Sequence, residues 1–304
     1  MPIKVPNDLP AVKTLESEKI FVIHENRAEK QDIRPLRILL LNLMPTKIIT
    51  ETQLLRCLSN TPLQIEVELL QTSTYTSKNT PEDHLFSFYK TFEDIKDNKY
   101  DGMIVTGAPV ETMEFSDVLY IDELKKIFEW SEHHVYSSLY ICWGAQAALN
   151  HFYGIPKYNL DSKVFGIFSH FITPEFENIF RGFDDIFNMP HSRHSEIRFS
   201  DIEKCDELDI LATSNLVGPS ILSSKDRRKF FVTGHLEYDS DTLSIEYFRD
   251  KNAGLNPDIP INYFLDNDIN NLPLVTWRSH AQLFFTNWLN YFVYQQTPYD
   301  ITTI

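Results

Sequence analysis

The sequence predicts an α/β fold in which a mostly parallel sheet carries helices on both faces. In the first half of the chain, strand-like apolar runs alternate with helix-like segments, an order typical of parallel strands joined by crossover helices. The run "LRILLLNLM" at residues 36–44 is apolar nearly throughout, as expected of a strand buried on both faces. The second half is more mixed, and we expect some of its strands to be antiparallel additions to the sheet.

The individual elements of the first half follow from local patterns. Residues 1–35 are polar and interrupted by prolines, with only "KIFVIHE" resembling a strand. We expect them to form an arm that packs on the body or on a second subunit. Pro45 and Thr46 precede isoleucines and leucines at helical spacing, which predicts a helix over 45–60. We then expect a strand at 64–71, a polar connection at 72–99, a strand at 100–109, a helix at 120–134 and a strand at 138–142.

Three segments of the second half, "KVFGIFSHFI", "DILATSN" and "RKFFVTGHLEYDS", resemble strands. Residues 277–296 predict a closing helix that is apolar on nearly every side, as a packed terminal helix or a dimer surface would be. We therefore expect a homodimer. Because no repeat, low-complexity tract or linker divides the chain, we interpret residues 1–304 as one domain.

Composition excludes several classes of protein. The chain has 304 residues, with 28 Lys and Arg against 43 Asp and Glu and a net charge of −15, which disfavours a nucleic-acid partner. Its three cysteines are odd in number and widely spaced, unlike a disulfide framework. Because it has neither an apolar run of membrane-spanning length nor a signal peptide, we expect no membrane association and a cytosolic protein with reduced thiols.

Cys142 lies where a predicted strand meets a predicted helix, in "SSLYICWGAQAALNHFYGI". A sharp strand-to-helix turn exposes a nucleophile above the sheet, and the backbone N–H groups of Trp143 and Gly144 would then face an oxyanion. The helix N-terminus would also lower the pKa of the thiol. The alternative is a small core residue at a strand end, and the sequence leaves both interpretations open.

A nucleophilic thiol requires a base and a group that orients the base. His235 and Glu237 follow the predicted strand "RKFFVTG", and residues two apart on extended backbone point to the same side. We therefore predict that Glu237 holds one ring nitrogen of His235 while the other serves Cys142. A solvated histidine beside an acid at a strand end is the simpler alternative.

The remaining histidines and cysteines carry weaker signals. The segment "MPHSRHSEI" at 189–197 is interpreted as a loop, and its two histidines could suggest a metal. We expect no metal, because no second ligand pair with the spacing of a tetrahedral site exists. Cys57 is expected on the apolar face of its helix, and Cys205 in a loop without a nearby base.

Several motifs together resemble one enzyme family. They are "MPTKIITETQLLRCLSN", "YDGMIVTGAPVE", "YICWGAQAAL", "KVFGIF", "MPHSRHSEI", "VTGHLEYD" and "WRSHAQLFFTNWL". The set is similar to the homoserine O-acyltransferases of methionine biosynthesis, in the branch related to class I glutamine amidotransferases rather than to α/β-hydrolases. It extends from about residue 1 to 298. The resemblance implies a class I glutamine amidotransferase-like, flavodoxin-like sheet. Tyr140 departs from the amidotransferase pattern, which usually has glycine there, but suits this family.

The resemblance also implies a reaction. An acyl-CoA would acylate Cys142, His235 would take the proton of the L-homoserine hydroxyl, and Glu237 would orient His235. Substrate-binding roles are implied for Lys163, Ser192 and Arg249, and a carboxylate substrate suits such cations. The implied small molecules are L-homoserine and acetyl-CoA as co-substrate, with no bound cofactor. From the bare sequence, Lys163 and Arg249 could equally be surface cations.

The resemblance further assigns the acyl donor to Glu111 in "TGAPVETMEF". Family members that use acetyl-CoA carry glutamate here and members that use succinyl-CoA carry glycine, which implies an O-acetyltransferase. A succinyl group ends in a carboxylate, which a glutamate would repel. Three alternatives stay open: transfer from succinyl-CoA, a glutamine amidotransferase-like hydrolase that releases ammonia, and a non-catalytic binding module.

Overall fold

The computed structural model describes residues 3–6, 8–18, 22–24, 34–75, 79–173 and 177–304. Its strands are β1 (Ile3–Val5), β2 (Val22–His24), β3 (Leu36–Leu41), β4 (Ile65–Leu70), β5 (Tyr89–Lys90), β6 (Tyr100–Val105), β7 (Val135–Ile141), β8 (Tyr158–Ile172), β9 (Ile186–Glu196), β10 (Leu208–Ser214), β11 (Gly218–Ser224) and β12 (Lys229–Val232). Its helices are α1 (Pro10–Ser17), α2 (Lys47–Leu58), α3 (Glu82–Phe88), α4 (Phe92–Ile95), α5 (Ile121–His134), α6 (Trp143–Tyr153), α7 (Phe199–Ile202), α8 (Thr242–Asn252) and α9 (Arg278–Asn287).

These strands form a mixed sheet in the order β2-β1-β4-β3-β6-β7-β12-β11-β10-β8-β9, with β5 beside β4. Neighbours from β2 to β12 are parallel, and neighbours from β12 to β9 are antiparallel. The predicted fold class is therefore confirmed, including the antiparallel additions in the second half.

Alternate side chains of the central strands enter two apolar cores on opposite faces of the sheet. On β3, Ile38 and Leu40 belong to one core, and Leu39 and Leu41 belong to the other. The first core also takes residues of α2 and α9, and the second takes residues of α5 and α6. Helices thus cover both faces, which explains why these strands are apolar nearly throughout.

The structure differs from the sequence interpretation in several elements away from the predicted nucleophile, including β11, which the sequence did not predict. The connection at 72–99 contains α3, β5 and α4, and α4 begins with a capping box between Thr91 and Asp94. The described part of the expected arm contains α1, and β1 extends the sheet beside β4; residues 19–21 and 25–33 lie outside the described residues. The segment at 189–197, interpreted as a loop, lies mostly on β9.

The last helix packs against its own chain. It continues beyond α9 as a π-helical segment, Trp288–Tyr294, and the two segments bury Phe284, Phe285, Trp288 and Leu289. These contacts within the chain account for the apolar character of the helix. The helix therefore gives no support to the expected homodimer, which stays a prediction. Within the described ranges, no helix is both long and apolar enough to cross a membrane.

Three adjacent parallel strands position the predicted nucleophile and base. β6, β7 and β12 are neighbours, and their carboxyl ends therefore meet at one edge of the sheet. That edge brings together the loop after β6, Cys142 after β7 and the segment 233–238 after β12. Sites in parallel α/β sheets lie at such edges.

Candidate active site

Cys142 occupies a strained turn between β7 and α6. Its backbone has φ 50° and ψ −118°, a conformation that costs a non-glycine residue about 1–3 kcal/mol. Two hydrogen bonds hold the turn: Cys142 N–H donates to Val232 O at 2.7 Å, and Gln146 N–H donates to Cys142 O at 3.2 Å. The strain and the strand-to-helix position are those of a nucleophile elbow, as the sequence predicted.

Two glycines allow the turn to pack closely against neighbouring backbone. A Cβ on Gly144 would lie 2.5 Å from Thr106 O, so no larger residue fits there without moving β6. A Cβ on Gly107 would lie 3.2 Å from Cys142 Cβ and 3.7 Å from His235 Cε1. The loop after β6 therefore touches both proposed reacting residues.

The structure brings the predicted nucleophile, base and orienting acid together. His235 Nδ1 lies 2.6 Å from Glu237 Oε1. The ring also lies beside the Cys142 side chain, since both approach the same face of Gly107. Because Nδ1 faces Glu237, Nε2 is the ring nitrogen left for the thiol. All three side chains are buried, with exposed fractions of 4%, 3% and 7% for Cys142, His235 and Glu237.

The prediction that His235 and Glu237 lie on one extended segment is wrong, although the two side chains do pair. Strand β12 ends at Val232, and Glu237 lies in a turn rather than on extended backbone. His235 N–H donates to Pro190 O of β9 at 2.8 Å, which ties this segment to the last strand of the sheet. The turn then folds the Glu237 carboxylate back onto the imidazole.

The surroundings of His235 favour its protonated ring. Burial by itself would lower the pKa of His235, but Glu237 and the negative charge of Cys142 outweigh burial and raise the pKa well above its ordinary value. The imidazolium is therefore favoured while both negative groups face it. Removing the charge on the Cys142 sulfur would weaken that preference.

Lys163 and Ser192 converge on a carboxylate that the sequence analysis missed. Lys163 Nζ lies 2.7 Å from Glu246 Oε1, and Ser192 Oγ donates to Glu246 Oε2 at 2.9 Å. Ser192 is buried, and the side chains of Lys163 and Glu246 are 16% and 19% exposed. One acid thus joins side chains from β8, β9 and α8.

Arg249 lies one helical turn beyond Glu246 on α8. Its side chain is 66% exposed and pairs with Asp250 at 2.7 Å, while Glu246 lies 3.6 Å away. We call Lys163, Ser192, Glu246 and Arg249 the acceptor cluster. A signal for Glu246 existed, because residues three apart on a helix share one face and "EYFR" places an acid beside the predicted cation.

Glu111 bridges the loop after β6 to β9. Its Oε1 accepts the N–H of His194 at 3.2 Å, and its backbone oxygen accepts from Lys157 Nζ at 2.9 Å. Burial raises the pKa of the Glu111 carboxyl above its ordinary value, although the His194 N–H, His235 and Lys163 oppose the rise. These causes put Glu111 within electrostatic range of both the base and the acceptor cluster.

His191 of "MPHSRHSEI" has a structural partner in His170 of β8. His170 Nε2 and His191 Nε2 lie 3.1 Å apart in a buried stacked pair, and burial lowers both pKa values, that of His170 to about 4. Arg193 is buried and donates to the backbone oxygens of Ser195 and Val217. In the described part of the chain, no group of three or more His, Cys, Asp and Glu could hold a metal ion.

The other two cysteines lie as expected. Cys57 is buried on α2 within the apolar core, and burial raises the pKa of its thiol. Cys205 is partly exposed beyond α7. Neither cysteine is at a strained turn, so both provide natural comparisons for Cys142.

Comparison with known proteins agrees with this geometry. The family model described as homoserine O-succinyltransferase matches residues 2–299. The chain belongs to this family. Family membership makes it an acyltransferase, and it confirms the resemblance seen in the sequence.

The family model is named for succinyl transfer, whereas the following relatives are named for acetyl transfer. Proteins named homoserine O-acetyltransferase from Acetivibrio thermocellus and Bacteroides thetaiotaomicron are 58% and 56% identical to this chain, each covering 100% of both sequences. One of the same name from Methanomethylophilus alvi is 56% identical and covers 100% of this chain and 98% of its own length.

Solved structures show the fold class more widely. A glutamine amidotransferase from Thermotoga maritima has a TM-score of 0.56 at 12% identity, over 84% of this chain and 98% of its own. A glutamine amidotransferase from Methylobacillus flagellatus has a TM-score of 0.52 at 11% identity, over 85% and 95%. At such low identity the likeness shows the fold alone, and that fold is glutamine amidotransferase-like, as expected.

Proposed function

We propose that this protein is a homoserine O-acetyltransferase, which transfers acetyl from acetyl-CoA to the hydroxyl of L-homoserine through a thioester on Cys142. The observation that carries the proposal is the buried imidazole of His235, which lies beside the elbow cysteine and hydrogen-bonds Glu237. Family membership and relatives named homoserine O-acetyltransferase support the choice of reaction.

In the first half-reaction, the Cys142 sulfur attacks the carbonyl carbon of acetyl-CoA. A new carbon–sulfur bond forms, the bond to the coenzyme sulfur breaks, and His235 gives its proton to the departing thiolate. The backbone N–H groups of Trp143 and Gly144 at the start of α6 lack partners within the helix and are the proposed oxyanion donors.

In the second half-reaction, His235 becomes the base. The acetyl thioester is neutral, so the negative charge that helped to raise the pKa of His235 is gone and the ring is left unprotonated. Its Nε2 takes the hydroxyl proton of homoserine while the oxygen attacks the thioester. The carbon–sulfur bond to Cys142 breaks, which restores the thiolate beside an imidazolium.

The acceptor cluster matches the charges of an amino acid. Homoserine carries a carboxylate and an ammonium group, and the cluster offers the cations Lys163 and Arg249 beside the carboxylate of Glu246. Glu246 already pairs with Lys163, so the substrate can replace that pair with two new ones, its carboxylate with Lys163 and its ammonium group with Glu246. Ser192, held by Glu246, lies on the β9 side of the same cluster.

Glu111 supports acetyl as the acyl group. Its side chain lies near the proposed base, anchored to β9, where the far end of a longer acyl group would meet it. A terminal carboxylate there would face Glu111 and Glu246 in a partly desolvated site, a repulsion that can amount to several kcal/mol. The methyl end of acetyl meets neither penalty.

The test is a donor comparison with purified protein. With L-homoserine present, acetyl-CoA should release coenzyme thiol and yield O-acetylhomoserine much faster than succinyl-CoA yields its succinyl counterpart. Preference for succinyl-CoA would contradict the role of Glu111 but not that of Cys142. Glutaminase activity without acyl transfer would instead support the ammonia-releasing alternative. Fractionation should find the protein in the cytosol.

A further inference from the structure

The aromatic ring of Tyr238 lies flat against the proposed base. The rings of Tyr238 and His235 have centroids 4.0 Å apart and planes within 13° of parallel. In the part of the chain that the structure describes, this is the shortest centroid separation among the ring pairs. Tyr238 is itself partly buried, and Trp277 Nε1 donates to its backbone oxygen at 3.1 Å.

Glu237 alone leaves the orientation of the imidazole incompletely fixed. Its Oε1 holds His235 Nδ1, but its Oε2 is buried and has no hydrogen-bond partner among the described residues. A carboxylate anchored at one oxygen can still swing, and one hydrogen bond tolerates a spread of ring tilts. A ring packed face to face restricts the tilt that the hydrogen bond leaves free.

We propose that Tyr238 is a positioning residue for the reaction, whose stacked ring holds His235 in the plane that directs Nε2 at Cys142 and stabilises the ring when it is protonated. An aromatic face attracts a cation, so stacking favours the imidazolium over the neutral ring. The inference rests on the proposed roles of Cys142 and His235, and it adds the third restraint on the base, after Pro190 and Glu237.

The ionisation of His235 depends on several groups besides Tyr238. From the neighbouring elements, the groups within range are Cys142 at the elbow, Glu237 in the same turn, Glu111 in the loop after β6 and His191 on β9. Replacing Tyr238 by leucine leaves all of them in place. A change in the titration of the Cys142–His235 pair can then be assigned to the lost ring.

The experiment measures alkylation of Cys142 by iodoacetamide as a function of pH, which needs no substrate. In Y238L, thiolate should appear at higher pH than in wild type, by about one unit, because the imidazolium beside it has lost its aromatic face. The kcat for acyl transfer should fall about 10- to 100-fold with a smaller change in KM, because a misplaced base slows the chemical steps. Y238F, which keeps the ring, should recover most of both losses.

A matched control is Y153L, since Tyr153 is also partly buried and its ring packs on Phe231, away from the base, with 6.0 Å between the ring centroids. It should leave the alkylation profile unshifted. An unshifted profile in Y238L, or equal losses in Y238L and Y238F, would overturn the inference.

Should Y238L be unstable, NMR of the wild type provides the test. Stacking must shift the signals of the His235 ring protons upfield, and ordinary chemical shifts would contradict the stack. Failure of the proposed function would appear separately, as no acylation of wild-type Cys142.

Discussion

The proposed triad and the acceptor cluster lie at the same edge of the sheet but are built differently. Cys142, His235 and Glu237 are at most 7% exposed; the imidazole already hydrogen-bonds the carboxylate and lies beside the cysteine. In the acceptor cluster, the cations are paired with carboxylates of the protein itself, and Arg249 is 66% exposed.

The difference in burial and pairing matches the proposed division of roles, in which the triad performs the chemistry and the acceptor cluster recognises the substrate. The triad requires fixed geometry and low polarity, so it is assembled before any substrate arrives. In the proposed function, the acceptor cluster exchanges its internal ion pairs for a zwitterionic substrate, which agrees with the exposure of Arg249 to water. Substitutions in the triad should therefore reduce kcat, and substitutions in the cluster should raise KM for the acceptor.

The largest effect is expected from replacing the nucleophile. C142S should lower acyl transfer by about 10⁴-fold or more without unfolding the protein, because the serine hydroxyl is far less acidic and less nucleophilic than the thiol. Steady-state kinetics and circular dichroism measure the two parts. C205S is the control and should retain activity, and acetyl-CoA should protect the wild type from iodoacetamide. Inactivation that maps to Cys57 or Cys205 would refute the assignment of Cys142.

Replacing the base should have the next largest effect. H235N should lower kcat by about 10²–10⁴-fold, because the positioned proton transfer is lost. E237Q should lower kcat less, because the glutamine still lies beside the ring while its charge is lost. H133N, at the exposed end of α5, is the control. Equal and small losses in H235N and E237Q would indicate that His235 is only a turn residue.

The acceptor cluster should respond in KM rather than in kcat. K163M should raise the KM for homoserine by about 10- to 100-fold, because the substrate loses a charged partner of about 1.5–3 kcal/mol. K204M removes an exposed cation that pairs with Asp201, outside the acceptor cluster, and should change nothing. A K163M enzyme that is equally slow to form the thioester would break the separation of the two regions.

Donor choice should depend on Glu111. E111G should shift the preference toward succinyl-CoA by about 10-fold or more, equal to about 1.4 kcal/mol, because the repelling carboxylate is removed. E114G removes another acid from the same loop and is the matched control. A succinyl preference in the wild type would contradict this role.

The smallest expected effect is a pH dependence of that preference. The pKa of Glu111 is raised, so its carboxyl gains protons as pH falls sooner than an ordinary glutamate does. Repulsion of succinyl should then weaken, and the ratio of succinyl to acetyl transfer should rise a few-fold toward acid pH. The base titrates equally in both reactions and cancels in the ratio. An equally pH-dependent ratio in E111Q would assign the effect elsewhere.

The two regions also differ in how far the sequence could predict them. The elbow was predictable because an apolar strand, one cysteine and a helix with small residues follow each other directly in the chain. The role of β9 was not predictable, because "MPHSRHSEI" is polar and becomes a strand only through long-range pairing with β8. Glu246 was missed because it meets the predicted Lys163, 83 residues away, only in the folded chain, and the "EYFR" spacing was the only local signal. Tyr238 was missed because a turn, rather than strand or helix periodicity, lays its ring on His235.

Mass spectrometry of the protein mixed with acetyl-CoA alone tests the central claim most directly. Without homoserine, the acetyl group should remain on the protein, and peptide mapping should find it on Cys142. Adding homoserine should remove it, and glutamine in place of acetyl-CoA should leave Cys142 unmodified. An unmodified Cys142 in protein that is active with both substrates would contradict the thioester mechanism.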